Sequence, residues 1–112
     1  MSYVTNLRTF VRVTELGSMS AAARDQRVSP AVASARIAEL ERHLGVRLFN
    51  RTTRSLQPTE QGQVFYRGAL RILETIDEAE AEAEVASISQ APRGSLHVAA
   101  PLGIGRRLIA PL

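Results

Sequence analysis

The sequence predicts a mainly α-helical fold, in which three short helices and a two-stranded hairpin precede one long helix. In three segments, apolar residues recur every three or four positions, which is the spacing of a helix with one buried face, and a fourth, short segment is rich in alanine. A serine or threonine stands before each of these segments, where a helix favours a capping side chain. Residues 46–59 instead contain short runs typical of strands. A chain of 112 residues is about one small domain in length.

The first helix is predicted from Tyr3 to Leu16. Ser2 is the expected N-cap, and Gly17 is the expected left-handed residue that ends the helix. The apolar stripe consists of Val4, Leu7, Phe10, Val11, Val13 and Leu16.

Two further helices follow after tight turns. The second is predicted to start after Ser20 as its cap and to end at Gln26. The third has Ser29 at the cap and Pro30 at the first helical position, and it is predicted to end at Gly45. Its apolar side is expected to be formed by Val32, Ala33, Ile37, Leu40 and Leu44.

A hairpin is predicted next, with strands over 48–52 and 55–57 on either side of a Thr53-Arg54 tip. Pro58 has no amide hydrogen to donate, so the second strand should lie at an edge or end at this residue.

The fourth helix is predicted from Glu60 to about Ile88, with Thr59 as its cap. Its apolar residues alternate in steps of four and three, which is typical of a coiled-coil seam. We expect self-association through this seam, because the far half of the helix extends beyond residues that could cover it. The alternative is a helix that lies on the core of its own domain. The seam consists of Phe65, Ala69, Ile72, Ile76, Ala79, Ala83 and Ala86.

Three regions are therefore expected. Residues 1–58 form the small helical domain, residues 59–90 the long helix, and residues 91–112 a hinge and the start of an α/β domain. In the last region, residues 95–100 read as a strand and residues 106–112 as the start of a helix.

Composition excludes several classes of protein. The chain has no cysteine and no lysine, so a disulfide scaffold, a zinc finger, a thiol nucleophile and a lysine Schiff base have no candidate. His43 and His97 are isolated, and Gly103-Ile104-Gly105 is an incomplete dinucleotide fingerprint. We expect no enzyme activity, no metal and no cofactor. Since the N-terminus has no signal-peptide pattern and no apolar run reaches about 18 residues, we expect a cytoplasmic protein without a membrane partner.

Charge is segregated along the chain. Residues 1–71 hold eleven arginines and five acidic residues, whereas residues 72–91 hold six acidic residues and no basic one. A basic body followed by an acidic helix is typical of a protein that binds a polyanion. The alternative is two ordinary solvated faces.

The elements together point to duplex DNA. A helix, a tight turn and a Ser-Pro-capped second helix describe a helix-turn-helix, whose second helix places its N-terminal residues against base edges in the major groove. The hairpin that follows is able to act as a wing. Arg36 and Arg42 lie on the third helix, and Arg51 and Arg54 lie on the hairpin.

The stretch from Gly17 to Gly62 resembles the DNA-binding domain of LysR-type transcriptional regulators. The matching positions run in family order without gaps and include Ser18, Ala22-Ala23, Val28-Ser29, Ser34, Ile37, Leu40-Glu41, Leu44-Gly45, Leu48-Phe49, Arg51, Arg54, Thr59 and Gly62. The resemblance continues through the long helix, and residues 94–112 resemble the first strand and helix of the effector-binding domain. The chain thus resembles about the first third of a bacterial regulator.

The resemblance implies a winged helix-turn-helix that binds a pseudo-palindromic operator as a homodimer paired through the long helix. It implies a small-molecule effector only if the missing domain is present. Ser34 is expected to contact a phosphate or base edge, Arg36 a guanine or phosphate, and Arg54 the minor groove. The implied DNA-binding residues are Ser29, Pro30, Ala31, Val32, Ser34, Ala35, Arg36, Arg51 and Arg54, and the dimerisation residues are Phe65, Ala69, Ile72, Ile76, Ala79 and Ala83. The alternative function is a homodimeric protein-interaction module without DNA sequence specificity.

Four residues depart from the family pattern. Arg27 stands where a turn glycine is frequent, and a left-handed non-glycine residue there costs on the order of 1 kcal/mol. Gln26 replaces a usual buried leucine, and Ala35 occupies a position often filled by a base-reading arginine or histidine. Pro58 replaces a usual aliphatic residue.

Overall fold

A computed structural model describes residues 2–51 and 55–89 of the chain. The fold is mainly α-helical, with a two-stranded antiparallel sheet between the third and fourth helices, and is a winged helix-turn-helix. The elements in chain order are α1 Tyr3–Leu16, α2 Met19–Gln26, α3 Pro30–Leu44, β1 Phe49–Arg51, β2 Leu56–Pro58 and α4 Glu60–Ser89.

The ends of α1 and α3 confirm the predicted caps. The hydroxyl of Ser2 accepts a hydrogen bond from the amide of Thr5 at 3.3 Å, and Gly17 ends α1 with a φ of 66°. Ser29 caps α3 in the same way, and Gly45 ends it with a φ of 74°. Local capping chemistry therefore fixes the length of both helices.

The predicted start of α2 is wrong. The helix begins at Met19, and its cap is Ser18 rather than Ser20, since the hydroxyl of Ser18 accepts from the amide of Ala21 at 3.1 Å. Both serines are chemically able to cap a helix, so residue type alone did not distinguish them.

Val32 does not belong to the buried side of α3, contrary to the prediction. Its side chain is 38% exposed, whereas Ala33, Ile37 and Leu40 are completely buried. Successive helical residues are rotated by about 100°, so Val32 lies to one side of the stripe that its neighbour Ala33 begins.

The core lies where α1 packs against α2 and α3, and where α2 packs against α3. Phe10 lies between two other rings, with centroids 5.5 Å from Phe49 and 5.4 Å from Phe65. Such tilted aromatic pairs add to the stabilisation from burial. The other completely buried apolar residues are Leu7, Val13, Ala22, Ala33, Ile37, Leu40, Leu48 and Ala69.

The strands pair with Phe49 opposite Pro58 and Arg51 opposite Leu56, so the second strand ends at the proline. Thr59 then caps α4 as predicted, because its hydroxyl accepts from the amide of Gly62 at 2.9 Å. The same hydroxyl donates to the carbonyl of Arg47 at 2.6 Å and so ties the start of α4 to the segment before β1.

The part of the chain that the structure describes separates into two compact units, one that ends at Thr75 and one that begins at Ile76. In the first, Phe65 is half-buried, Ala69 is completely buried within its own core, and Ile72 is 42% exposed. In the second, Ile76 is half-buried and the remaining predicted seam residues, Ala79, Ala83 and Ala86, are exposed. The expected strand and helix of residues 95–112 lie outside the described residues.

Candidate nucleic-acid interface

The surface at the N-terminal end of helix α3 consists mostly of small, apolar side chains. Ala31, Val32 and Ala35 are exposed, and Ser34 is half-buried. The hydroxyl of Ser29 accepts from the amide of Val32 at 3.2 Å, which orients the first turn of the helix. Pro30 is exposed at the first helical position. The predicted residues of this helix other than Arg36 thus lie together at its exposed N-terminal end.

Arg36 is placed differently. Its side chain is half-buried, and its Nη1 donates to Thr9 Oγ1 and to Gln26 Oε1, both at 3.3 Å. Thr9 Oγ1 in turn donates to Gln26 Oε1 at 2.6 Å. We call Thr9, Gln26 and Arg36 the polar triad. Gln26, which stands where the resemblance implies a leucine, supplies the acceptor that joins the C-terminal end of α2 to the middle of α1 and α3.

The turn between α2 and α3 contains a left-handed arginine. Arg27 has a φ of 61° and a ψ of 42°, as expected if it occupies the place of a turn glycine. Its amide donates to the carbonyl of Arg24 at 3.1 Å, and the amide of Val28 donates to Ala23 at 2.9 Å. Among the residues that the structure describes, Arg27 is the one non-glycine residue with a positive φ.

Glu41 connects α3 to the wing, a role that sequence reasoning missed. Its Oε2 accepts from the amide of Leu48 at 2.8 Å, directly before β1. Its carboxylate also lies 3.8 Å from Arg47 Nε and 4.0 Å from Arg51 Nη2. The Glu41 side chain is 13% exposed and that of Arg51 is 40% exposed, so the carboxylate is mostly buried while the arginine reaches solvent. The Leu40-Glu41 pair of the family pattern was the signal available for this residue.

Arg54, the other predicted wing residue, lies outside the described residues. The described part of the wing is the pair of strands on either side of it, and the main-chain pairing fixes their register. Gln57 and Asn50 face each other across this pair and are both exposed.

A second polar group joins α1, α2 and α4 at the surface. Arg12 donates to Asp25 Oδ2 at 2.9 Å and to Glu15 Oε1 at 2.8 Å. These hydrogen bonds raise the pKa of the Arg12 guanidinium, and the one to Asp25 has the larger effect. The hydroxyl of Tyr66 donates to Glu15 Oε2 at 3.0 Å. Burial, and then this hydrogen bond, raises the pKa of Tyr66 above its usual value of 10.0. The phenol therefore stays protonated and keeps donating.

Within the described residues, no group of three or more His, Asp or Glu side chains is arranged to hold a metal ion. None of the helices in that part of the chain combines the length and the hydropathy of a membrane-spanning helix.

Comparisons with known proteins match this architecture. The family model "Bacterial regulatory helix-turn-helix protein, lysR family" matches residues 4–63. Over 106 residues the chain is 41% identical to the HTH-type transcriptional regulator CrgA of Neisseria meningitidis serogroup C, covering 95% of this chain and 35% of that one. Over 108 residues it is 39% identical to the regulator DmlR of Escherichia coli K12, covering 96% of this chain and 34% of that one. The chain thus spans about a third of the length of these relatives.

Solved structures agree with the sequence matches. The complex of the BenM DNA-binding domain with the catB site 1 DNA superimposes with a TM-score of 0.73 at 30% identity, covering 78% of this chain and 97% of that one. The CbnR DNA-binding domain in its DNA complex gives a TM-score of 0.72 at 33% identity, covering 78% of this chain and 99% of that one. On the family match and the shared fold, the chain belongs to the lysR family of bacterial regulatory helix-turn-helix proteins.

Proposed function

We propose that this chain binds duplex DNA sequence-specifically and regulates transcription, with two copies on a pseudo-palindromic operator. One observation carries the proposal: α2, the Arg27 turn, α3 and the β1–β2 hairpin share their arrangement with a domain solved as a DNA complex. In helix-turn-helix proteins the second helix lies in the major groove with its N-terminal residues at base edges. The exposed N-terminal end of α3 fits that position.

The proposed DNA contacts come from two elements. From α3 they are made by Ser29, Pro30, Ala31, Val32, Ser34, Ala35 and Arg36, and from the wing by Arg51 and Arg54. Ser34 would contact a phosphate or a base edge, and Arg36 a guanine or a phosphate. Arg54 would enter the minor groove, where arginine is attracted by the negative potential of a narrow A·T-rich groove.

Dimerisation through α4 is part of the proposal. Ile72 is 42% exposed, and Ala79 and Ala83 are also exposed, so these residues have surface to offer a second copy. Ala69 has no exposed surface and Phe65 packs on Phe10, so these two predicted seam residues support the core of their own copy first. Ile76 is half-buried.

The bacterial cytoplasm is the proposed location, because a regulator of transcription acts on the nucleoid there. In a protein that carries an effector-binding domain after this one, a small molecule would alter how the dimer holds its operator. These two proposals concern a whole regulator. This chain spans about a third of the length of its relatives.

The alternative function is a homodimeric interaction module that uses its arginines for an acidic protein partner. The exposed basic residues of α2 and α3, such as Arg24 and Arg42, are compatible with that reading. It predicts no preference for one duplex over another.

Selection from a random duplex-DNA library, with the bound fraction sequenced, tests the proposal. The salt concentration is held near physiological, because non-specific affinity depends steeply on salt. We expect enrichment of an inverted repeat with half-sites about one helical turn, 10 base pairs, apart. A bound pool as random as the input would overturn sequence-specific binding and favour the interaction module.

A further inference from the structure

We propose that α3 reads thymine through contacts of apolar side chains with the base's methyl group, rather than guanine through an arginine. The inference rests on the proposed function and specifies which bases that function recognises.

The exposed side chains at the N-terminal end of α3 are mostly apolar. Ala31, Val32 and Ala35 are exposed there, while Ala33 and Ile37 are completely buried on the other side of the helix. Val32 is 38% exposed, so its side-chain methyl groups are accessible at this end of the helix. The surface that α3 would bring to base edges therefore carries methyl groups.

Few polar side chains are available on this surface. A bidentate contact to guanine requires arginine or lysine, and one to adenine requires asparagine or glutamine. Residues 29–35, all of which the structure describes, contain none of these. The hydroxyl of Ser29 accepts from the amide of Val32 at 3.2 Å, which leaves its one hydrogen as a donor. Ser34 is half-buried and has one short hydroxyl, which any base edge would satisfy.

Arg36 is held inside the domain by the polar triad. Its Nη1 donates to both Thr9 and Gln26, and Thr9 is completely buried. Turning the guanidinium towards a guanine would break both hydrogen bonds and leave acceptors of buried or half-buried groups without this donor. The polar triad therefore disfavours the guanine contact proposed for Arg36.

Thymine is the base that an apolar surface distinguishes. In the major groove thymine presents a C5 methyl group. A protein recognises this base by an apolar contact between that methyl group and a side chain such as alanine. Val32 and Ala35 lie three residues apart, so they are neighbours on one face of the helix. They are placed to cover adjacent methyl groups in one half-site.

Base analogues test the inference on the operator obtained by selection. Each half-site thymine is replaced by uracil, which lacks the methyl group and keeps the same hydrogen-bonding edge. We expect affinity to fall about fourfold for each contacted methyl, as for one buried methylene-sized group. Uracil placed outside the half-sites is the control and should change nothing. Replacing half-site guanines by 7-deazaguanine removes the N7 acceptor and should leave affinity unchanged.

A protein variant locates the contact. Val32→Ser removes the side-chain methyl groups at an exposed position, and it should reduce the discrimination between thymine and uracil to less than twofold at the base that Val32 covers. Discrimination at the base beside Ala35 should be retained. Val85→Ser, at a 64% exposed valine of α4, is the matched control and should retain full discrimination. Thermal unfolding of both variants verifies that they fold.

The outcomes separate this inference from the proposed function. An operator that is bound specifically but tolerates uracil, loses affinity with 7-deazaguanine, or has half-sites without thymine would overturn methyl readout and leave specific DNA binding intact. Absence of any preferred sequence would overturn the proposed function, and methyl readout with it.

Discussion

Arg27 shows how one residue can carry a conformational cost that its chemistry does not reveal. Its φ of 61° lies in the left-handed region, which is unfavourable for L-residues with a Cβ by about 1–2 kcal/mol. Arg27→Gly should therefore raise the free energy of unfolding by roughly 0.5–1 kcal/mol, after the greater chain entropy of glycine is subtracted. Chemical denaturation measures the change.

The matched control is Arg24→Gly, which removes a neighbouring exposed arginine from a right-handed helical position. It should destabilise the protein by about 1 kcal/mol, the usual cost of glycine in a helix. Equal losses in both variants would show that the Arg27 side chain contributes more than its backbone conformation costs.

Gly62 is required by a close approach between α4 and the segment before β1. A Cβ at this buried position would overlap the carbonyl oxygen of Leu48, which is main chain and unable to move aside alone. We expect Gly62→Ala to lower the free energy of unfolding by about 1–3 kcal/mol, as overpacking does. The melting temperature, measured by circular dichroism, should fall accordingly.

Gly68→Ala is the matched control on the same helix. The nearest atom to its added Cβ is Arg71 Nη2 at 3.7 Å, an ordinary contact. Alanine favours the helix there by roughly 0.5–1 kcal/mol, so this variant should be stabilised. A neutral Gly62→Ala variant would contradict the tight contact between the two segments.

At the scale of elements, the polar triad couples three helices. Gln26→Leu restores the leucine usual in the family but removes the acceptor for both Thr9 and Arg36. It should cost about 1–3 kcal/mol, because the buried hydroxyl of Thr9 loses its acceptor and Arg36 keeps only Thr9 as an acceptor. In a Thr9→Val background the cost should be smaller, with a coupling free energy of roughly 1 kcal/mol in a double-mutant cycle.

Gln63→Leu provides the control for this cycle. Gln63 is exposed on α4, so its substitution should change the free energy of unfolding by no more than about 0.5 kcal/mol. Strict additivity of Thr9→Val and Gln26→Leu would mean that the triad does not act as a unit.

The wing makes a separate electrostatic prediction. If Arg54 contacts a phosphate or the minor groove beside it, Arg54→Ala should weaken operator binding and flatten its dependence on log salt by about 0.9, the contribution of one phosphate contact. Fluorescence anisotropy over a series of salt concentrations measures the slope. Arg67→Ala, at an exposed arginine of α4, should leave the slope unchanged; a slope unaltered by Arg54→Ala would remove the wing from the interface.

Elements set by local chemistry were predictable from the sequence. Ser29, Pro30 and Gly45 define α3 because a cap, a fixed φ and a left-handed stop each act within a few residues. Arg36 could not be placed in this way, because its partners Thr9 and Gln26 are 27 and 10 residues away in sequence. Spacing assigned it to the helix but not to the polar triad.

The exposure of Val32 and the role of Glu41 show the same limit. Because Val32 is apolar and adjacent to Ala33, its position in the sequence is compatible with the buried side of α3. Only the packing of the helix shows that Ala33 is buried and Val32 is exposed. In the sequence, Glu41 is identified only as one position of the family pattern. Its contacts with the amide of Leu48 and with Arg51 of the wing arise from the fold. Contacts between elements, unlike caps within them, depend on how the elements pack.

At the scale of the whole molecule, the proposed function combines a domain that reads DNA with a helix that pairs two copies. In the proposed dimer, two copies related by a two-fold axis would present two α3 helices to the same face of a duplex, so the dimer would set the half-site separation. Ile72, Ala79 and Ala83 are exposed and are the residues we propose for that pairing. Reading by a dimer therefore predicts a strict dependence on helical phase.

Affinity and stoichiometry on duplexes with varied half-site spacing test this claim most directly. The enriched operator is compared with versions whose half-sites are moved apart by 5 or 10 base pairs, half a helical turn and about one turn. Sedimentation should show two chains on each enriched operator, and a 5-base-pair insertion should reduce affinity at least about tenfold, because the second half-site turns to the opposite face. Independent binding of single chains, with the same affinity at every spacing, would contradict the dimeric readout.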